Sequence, residues 1–481
     1  MEKVSNRLEL KRTMQQRTEQ SSYGAGQGEA QEATAMDAEV RVGLQTEENL
    51  ASKTLMEEIL SRDNLRQAVK RVKANKGAPG IDKMTVEELP EYLKDNWNDL
   101  REQLLGSKYK PQPVRRVEIP KPAGGTRKLG IPCCVDRFIQ QAVLQVLQKY
   151  WDRTFSDNSY GFRPGRSAHQ AVSKAQSYIK QGYTWVVDLD LEKFFDRVNH
   201  DRLIDKISER VKDKRVIKLI RAFLTSGVLE DGLVTPTDEG TPQGGPLSPL
   251  LSNIVLDELD QELTKRGHRF VRFADDANLY VRSEKAGKRV MENVTKFITK
   301  RLKLKVNEAK SAVDRPWKRK FLGFTFSAQE WRGRWRVRRK IAPQSLERIR
   351  NKVRYLTRRT QGRSIEQVVA ALNRYLNGWI QYFAFAETKQ DFKILESWIK
   401  RKLRCMMWKQ WATGKKRYQE LKTRGVRTFT AWVTTKSGHG PWRLSRSPAV
   451  QQVLNYSFFK SLGLVFLSEA YASLSSRRTA V

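Results

Sequence analysis

Cysteine is scarce. The 481 residues contain three, adjacent at Cys133 and Cys134 and alone at Cys405, with no Cys-x-x-Cys pair. A disulfide framework and a zinc site are both excluded by that spacing. No apolar run approaches the roughly 18 residues needed to cross a bilayer, and the opening MEKVSNRLELKR lacks the apolar core of a secretory signal. These absences predict a cytoplasmic chain with no membrane partner. Acidic residues are also in deficit: 53 Asp and Glu face 91 Lys and Arg, a formal charge of +38. From Arg315 to Arg446 the imbalance is 34 to 7, leaving +27 on that span. Such a field needs a polyanion, and the interleaved Trp, Tyr and Phe make nucleic acid the expected partner. The length allows about three domains. Residues 1–50 are polar, with Tyr23 as their one aromatic, and are expected to form a flexible leader.

What is present centres on carboxylates. In RFVRFADDANLYVR, Arg269 to Arg282, alternating apolar residues flank Asp275 and Asp276, which predicts a β-hairpin with the two aspartates at its turn. An isolated Asp pair is ordinarily a solvated turn. Half-buried flanking strands instead place like charges at the lip of a sheet, where a divalent cation relieves their repulsion, and hard oxygen ligands of this kind suit Mg²⁺. A third carboxylate comes from WVVDLDLEKFFD, Trp185 to Asp196, whose β-branched and aromatic start predicts a strand ending at Asp190. One carboxylate on a strand and two on a neighbouring hairpin suit two-metal phosphoryl transfer.

At these residues the chain resembles the reverse transcriptases encoded by group II introns. FADD resembles their aromatic-x-Asp-Asp box, DLEKFFDRVNH their first aspartate motif, and GTPQGGPLSPLLSNIVLDELD, Gly240 to Asp260, their PQG segment. The resemblance implies an α+β right-hand polymerase. It implies two Mg²⁺ ions held by Asp190, Asp275, Asp276 and the backbone carbonyl of Leu191, with Asp188 supporting from behind. Phe194 is expected beneath the sugar of the incoming nucleotide, where its bulk selects deoxynucleotides, while Phe195 packs in the core. Gln243 is expected to meet a nucleotide or template base, and Lys310, in LKLKVNEAK, the pyrophosphate. YKPQPVRRVEIPKPAGGTRKLGIP, Tyr109 to Pro132, reads as two strands around Gly124 and Gly125. It resembles the fingers hairpin, in which Lys121 and Arg127 match the triphosphate-gripping positions. KGAPGID (Lys76, Gly80) and YGFRPGR (Arg163, Arg166) resemble segments that support the template.

Beyond about Pro343, apolar residues at helical spacing alternate with Arg and Lys. LNRYLNGWIQYFAFAE and ESWIKRKLRCMMWKQW resemble the thumb or maturase domain of the family, which implies RNA contacts at Arg374, Trp379, Arg401 and Lys402. FLGFTF, Phe321 to Phe326, resembles a primer-holding hairpin, and its aromatics serve equally as core. The expected organisation is leader 1–50, fingers and palm 51–330, helical RNA-binding domain 331–446 and a short DNA-binding-like tail 447–481. The tail has one histidine nearby, His439, and no paired cysteines, so the family's HNH endonuclease is not expected. The expected function is RNA-directed DNA synthesis by a protein that binds its group II intron RNA, assists splicing and copies the RNA at a DNA target, using a DNA primer and dNTPs. A reverse transcriptase retained for repair or defence, and a non-catalytic splicing cofactor, are the competing readings.

Overall fold

The computed structural model describes residues 54–120, 124–230, 233–235, 239–240, 244–358 and 362–479. The leader, Lys121 and Gln243 lie outside them. In chain order the strands are β1 (Val114–Pro120), β2 (Thr126–Ile131), β3 (Trp185–Leu189), β4 (Val228–Glu230), β5 (Leu233–Thr235), β6 (Arg269–Phe273), β7 (Asp276–Val281), β8 (Ala312–Asp314), β9 (Phe324–Trp331) and β10 (Arg334–Ile341). They are divided between two compact units interleaved in sequence. One comprises Met1–Ser156, Lys193–Leu259 and Leu302–Leu304, the other Asp157–Glu192, Asp260–Arg301 and Lys305–Val481.

In the first unit a four-stranded sheet has the order β2-β1-β4-β5. The hairpin β1–β2 turns through Gly124 (φ 94°) and Gly125 (φ 77°), as the Gly-Gly pair predicts, and places Arg127 opposite Ile119. In the same unit the helix Cys134–Trp151 is buried along most of its length. Asn64, on the helix Arg62–Asn75, donates to Ala142 O at 3.0 Å. That helix ends where Lys76 adopts a left-handed φ of 46°.

The second unit carries an antiparallel sheet of order β6-β7-β3-β8. Flanking helices start at well-formed caps: Ser167 and Gln170 make a capping box for Ala168–Lys180, and Ser283 caps Glu284–Phe297. β9 and β10 form a separate hairpin, closed by Arg332 and Gly333, both at positive φ as a two-residue hairpin turn requires. One hydrophobic core runs from Val186, Val271 and Tyr280 in the sheet through Phe324 and Val337 to Leu372, Leu403, Trp408 and Phe459 in the C-terminal helices. The division expected at residue 330 therefore falls inside β9, and β10 carries the core onward into the basic helices. Phe321, Phe324 and Phe326 are all buried in it, which favours the core reading of FLGFTF.

Candidate active site

Antiparallel pairing of β3 with β7 fixes the carboxylates. Leu189 faces Ala277 and Asp188 faces Asn278, so Asp190, one residue beyond Leu189, arrives beside Asp276 at the start of β7. The expected hairpin is present: Phe273 pairs with Asp276, and the turn is Ala274 and Asp275, with Ala274 at φ 56°. Strict alternation is not present, since Phe270, Val271 and Arg272 of β6 are all buried. Arg272 can be internal because its guanidinium meets Asp260 through Nε at 2.8 and 3.0 Å and Nη2 at 2.5 Å. Exposure is 1% for Arg272 and 0% for Asp260. The remaining Nη1 donates to Ala274 O at 2.9 Å, so a buried ion pair holds the turn that presents the aspartates. Gly161 closes the other side. A Cβ there would sit 2.2 Å from Ala274 N, so only glycine lets the YGFRPGR segment lie against this turn.

Asp276 is crowded by negative charge. Burial first, then Asp275, Asp188 and Asp190, push its carboxyl up to about 7, opposed by Lys320. Burial also raises Asp188, against the pull of Arg319, whose Nε donates to Asp188 Oδ2 at 2.8 Å. With its amide nitrogen facing the carboxylate, Asn278 lies 3.0 Å from Asp188 Oδ1. Asp188 is thus tied to Arg319 and Asn278. The backbone of Asp190 is pinned on both sides: its N–H donates to Ser311 Oγ at 3.0 Å and its carbonyl accepts from Asn307 N at 2.8 Å. Leu191 bridges Val306, but the ladder bonds run from Glu192 N to Lys305 O and from Asn307 N to Asp190 O. Neither uses the Leu191 carbonyl. Lys310 Nζ lies 3.6 Å from Asp190 Oδ2 and is largely exposed, and Arg319 Nη2 donates to Lys310 O at 2.6 Å. Asn307, Ser311, Arg319 and Lys320 were not singled out in the sequence, where they sit among ordinary surface residues.

Among the described residues no three His, Cys, Asp or Glu side chains converge closely enough to enclose an ion by themselves. The donor set still fits Mg²⁺, which retains waters and takes phosphate oxygens as ligands. The raised Asp276 marks where cationic charge is most needed.

Other expected site residues are placed differently. Phe194 is 2% exposed and edge-on to Phe195 at 5.3 Å. Phe194 is therefore the core member of the pair, and Phe195 is half-buried. Arg163 is buried and donates to Ser159 O at 3.0 Å, so its guanidinium is committed to the protein instead of a template. Arg166 is half-buried, 2.6 Å from Asp157. Trp379 is buried against Phe383 and Phe392, a core residue and not an RNA-facing one, because its helix turns Arg374 outward in its place. Arg401 lies 3.7 Å over the Trp442 ring, and Lys402 lies 5.4 Å from the same ring. Arg127 and Lys76 are exposed. Gly80 is buried, with Cys133 Cα 2.6 Å from where a Cβ would stand, and Gly244 likewise abuts Gly130 O. These two glycines admit neighbouring backbone.

Carboxylates across paired strands of an antiparallel palm sheet define the nucleotidyl-transfer class of polymerase folds. Residues 119–326 match the family described as reverse transcriptase (RNA-dependent DNA polymerase), and residues 346–425 match the group II intron maturase-specific domain. The chain thus carries a reverse transcriptase domain together with a group II intron maturase-specific domain. It is similar to protein YkfC of Escherichia coli K12, 38% identical over 227 residues, covering 46% of this chain and 60% of that protein. It is also similar to the group II intron-encoded protein LtrA of Lactococcus lactis subsp. cremoris, 36% identical over 237 residues, covering 49% of this chain and 37% of LtrA. The matches thus span less than two thirds of either relative. A partial Cas6-RT-Cas1–Cas2 complex matches 51% of this chain and 42% of its own at 25% identity, with a TM-score of 0.34, too low to carry an argument.

Proposed function

We propose that the chain is an RNA-directed DNA polymerase that binds a group II intron RNA, assists its splicing and copies it into DNA. The observation that carries the catalytic half is the register placing Asp190 beside Asp276, with Asp276 raised by burial and then by its carboxylate neighbours. The RNA half rests on the maturase-specific match and the +27 span. Asp190, Asp275, Asp276 and the Leu191 carbonyl would hold two Mg²⁺ ions, which when bound supply Lewis-acid activation of a primer 3′-hydroxyl and neutralise the leaving pyrophosphate. The protein's own part is positional. Asn307 and Ser311 fix the Asp190 backbone, Arg272 fixes the Ala274 turn, and Lys310 is within reach of both Asp190 and an incoming phosphate. Arg127 and Lys121 supply cations for the dNTP, Phe195 selects against a 2′-hydroxyl, and Gln243 meets a base. Lys76, Arg166, Arg374, Arg401 and Lys402 contact template or intron RNA, chiefly through phosphates. The protein works in the bacterial cytoplasm and reaches target DNA at the nucleoid as a ribonucleoprotein. Its proposed organisation is fingers and palm, then beyond the β9–β10 hairpin RNA-binding helices to 446 and a DNA-binding tail.

Primer extension on an RNA template by the wild type and by Asp275→Ala/Asp276→Ala tests the catalytic half. Synthesis by the wild type and loss in the variant are expected, and equal activity in both would refute it. Sequencing the RNA that copurifies at low salt tests the other half. A single structured RNA containing the reading frame is expected, whereas an unselected mixture would favour a repair or defence role.

A further inference from the structure

The helix Thr428–Lys436 lies just past the maturase-specific match, which ends at residue 425. Residues 429, 432, 433 and 436 share one face at i, i+3, i+4 and i+7 spacing. Phe429 is 75% exposed, Trp432 53% and Val433 45%, while Ala431 and Thr434 on the opposite face are buried. The other tryptophans beyond residue 343 are all engaged. Trp379 packs against Phe383, Trp398 has Arg354 over it, Trp408 has Arg417, Trp411 has Arg424 and Trp442 has Arg401. Among the described residues Phe429 and Trp432 have neither a ring nor a cation against them.

Charge identifies the occupant. Between Glu420 and Glu469 the chain has no acidic residue and seven Lys and Arg. Arg427 at the N-cap and Lys436 in the last turn are exposed at the two ends of this helix, and among the described residues neither forms an ion pair. A protein partner would have to cover the rings while supplying counter-charges. Nucleic acid supplies flat π-faces and anions together, and base stacking on aromatic rings flanked by cations is the usual way single strands are held. RNA presents such bases in loops and bulges. We propose that Phe429 and Trp432 form a stacking platform for unpaired bases of a structured RNA, with Arg427 and Lys436 on the adjoining phosphates. The proposal rests on the RNA-binding reading and adds to it a site for bases, where the helices before it offer mainly phosphate contacts.

The test uses the full chain and three fluorescein-labelled probes: a 12-nucleotide mixed-sequence single-stranded RNA, the same RNA as a duplex, and a DNA of the same sequence. Affinities are measured over a salt series for wild type, Phe429→Ala, Trp432→Ala, Trp432→Leu and Trp432→Phe. Single-stranded RNA binding should weaken about 5-fold to 150-fold in each Ala variant and in Trp432→Leu, and recover in Trp432→Phe. The dependence of log K on log salt should keep its slope, since no cation is removed. Duplex binding should be unchanged, and thermal unfolding should match wild type because the rings are exposed. Full affinity in Trp432→Leu would overturn the platform, as would equal losses on duplex and single strand. A change in self-association or in binding to phosphatidylserine vesicles, with RNA affinity intact, would assign the face to protein or lipid and overturn it too. Losses confined to the DNA probe would also reject the RNA assignment. If the wild type binds none of the probes, the RNA-binding reading itself fails. If wild type and variants bind equally well, only the platform does.

Discussion

The buried pair Arg272–Asp260 should be the most sensitive part of the palm, and its removal separates stability from catalysis. With exposures of 1% and 0%, neither charge is solvated by water, so deleting one partner strands the other at a cost of about 3–5 kcal/mol. That is a large share of the roughly 5–15 kcal/mol that stabilises a domain. Asp260→Asn should be worse than Arg272→Met, because Asp260 also feels the charge of Arg163 and its loss leaves two buried cations together. The double variant Asp260→Leu/Arg272→Met removes both members of the pair, and most of the stability should return. What does not return is the donor to Ala274 O. Leaving that carbonyl unpaired costs about 1–3 kcal/mol and releases the turn carrying Asp275 and Asp276. Urea midpoints should therefore rank wild type, double variant, Arg272→Met and Asp260→Asn, from most to least stable. Primer extension should show kcat lowered at least tenfold in the double variant, with KM for dNTP nearly unchanged. Singles that lose less than about 1 kcal/mol would refute the stability argument. A double variant with wild-type kcat would refute the positioning role of Arg272.

Gly161→Ala brings a Cβ to 2.2 Å from Ala274 N, and should cost about 1–3 kcal/mol and reduce kcat, measured by urea unfolding and extension assays. A fully active, fully stable variant would show that the segment is not pressed against the turn. Phe194→Ala should lower stability by about 3–5 kcal/mol, as for a buried Phe, without altering sugar choice. Phe195→Ala should leave stability nearly intact and admit ribonucleotides, read as the ratio of kcat/KM for dNTP and rNTP; the opposite pattern would restore the role expected for Phe194. For Asp276, the folded-state pKa of about 7 lies above the ordinary value near 4. In EDTA its contribution should be most favourable below about pH 4 and decline as pH rises to about 7, by on the order of 4 kcal/mol. Asp276→Asn or added Mg²⁺ should flatten that slope in thermal scans. An EDTA profile identical in wild type and variant would mean that the carboxylates do not crowd one another.

How much of this was legible in the sequence depended on whether the determining contacts were local. The Asp275–Asp276 hairpin could be read because its alternating flanks and turn are contiguous, and Asp190 because a β-branched run leads straight to it. The Gly-Gly turn of β1–β2 declared itself for the same reason. Arg272 could not be read: it occupies a strand position that looks polar, and its partner Asp260 looks like one more acid on a helix of mixed polarity. Only folding brings the two together, and only then does β6 become buried on both faces. The same limit explains Phe194 and Phe195, adjacent and chemically identical, whose roles are separated by which ring the 3₁₀ turn Phe194–Asp196 directs inward. Trp379 and Arg163 show the opposite limit, since residue types suited to RNA are equally suited to filling or bracing a core. Burial is what distinguishes the two uses, and it assigns Trp379 inward while leaving Phe429 and Trp432, in a segment with no comparable motif, facing solvent beside uncompensated cations.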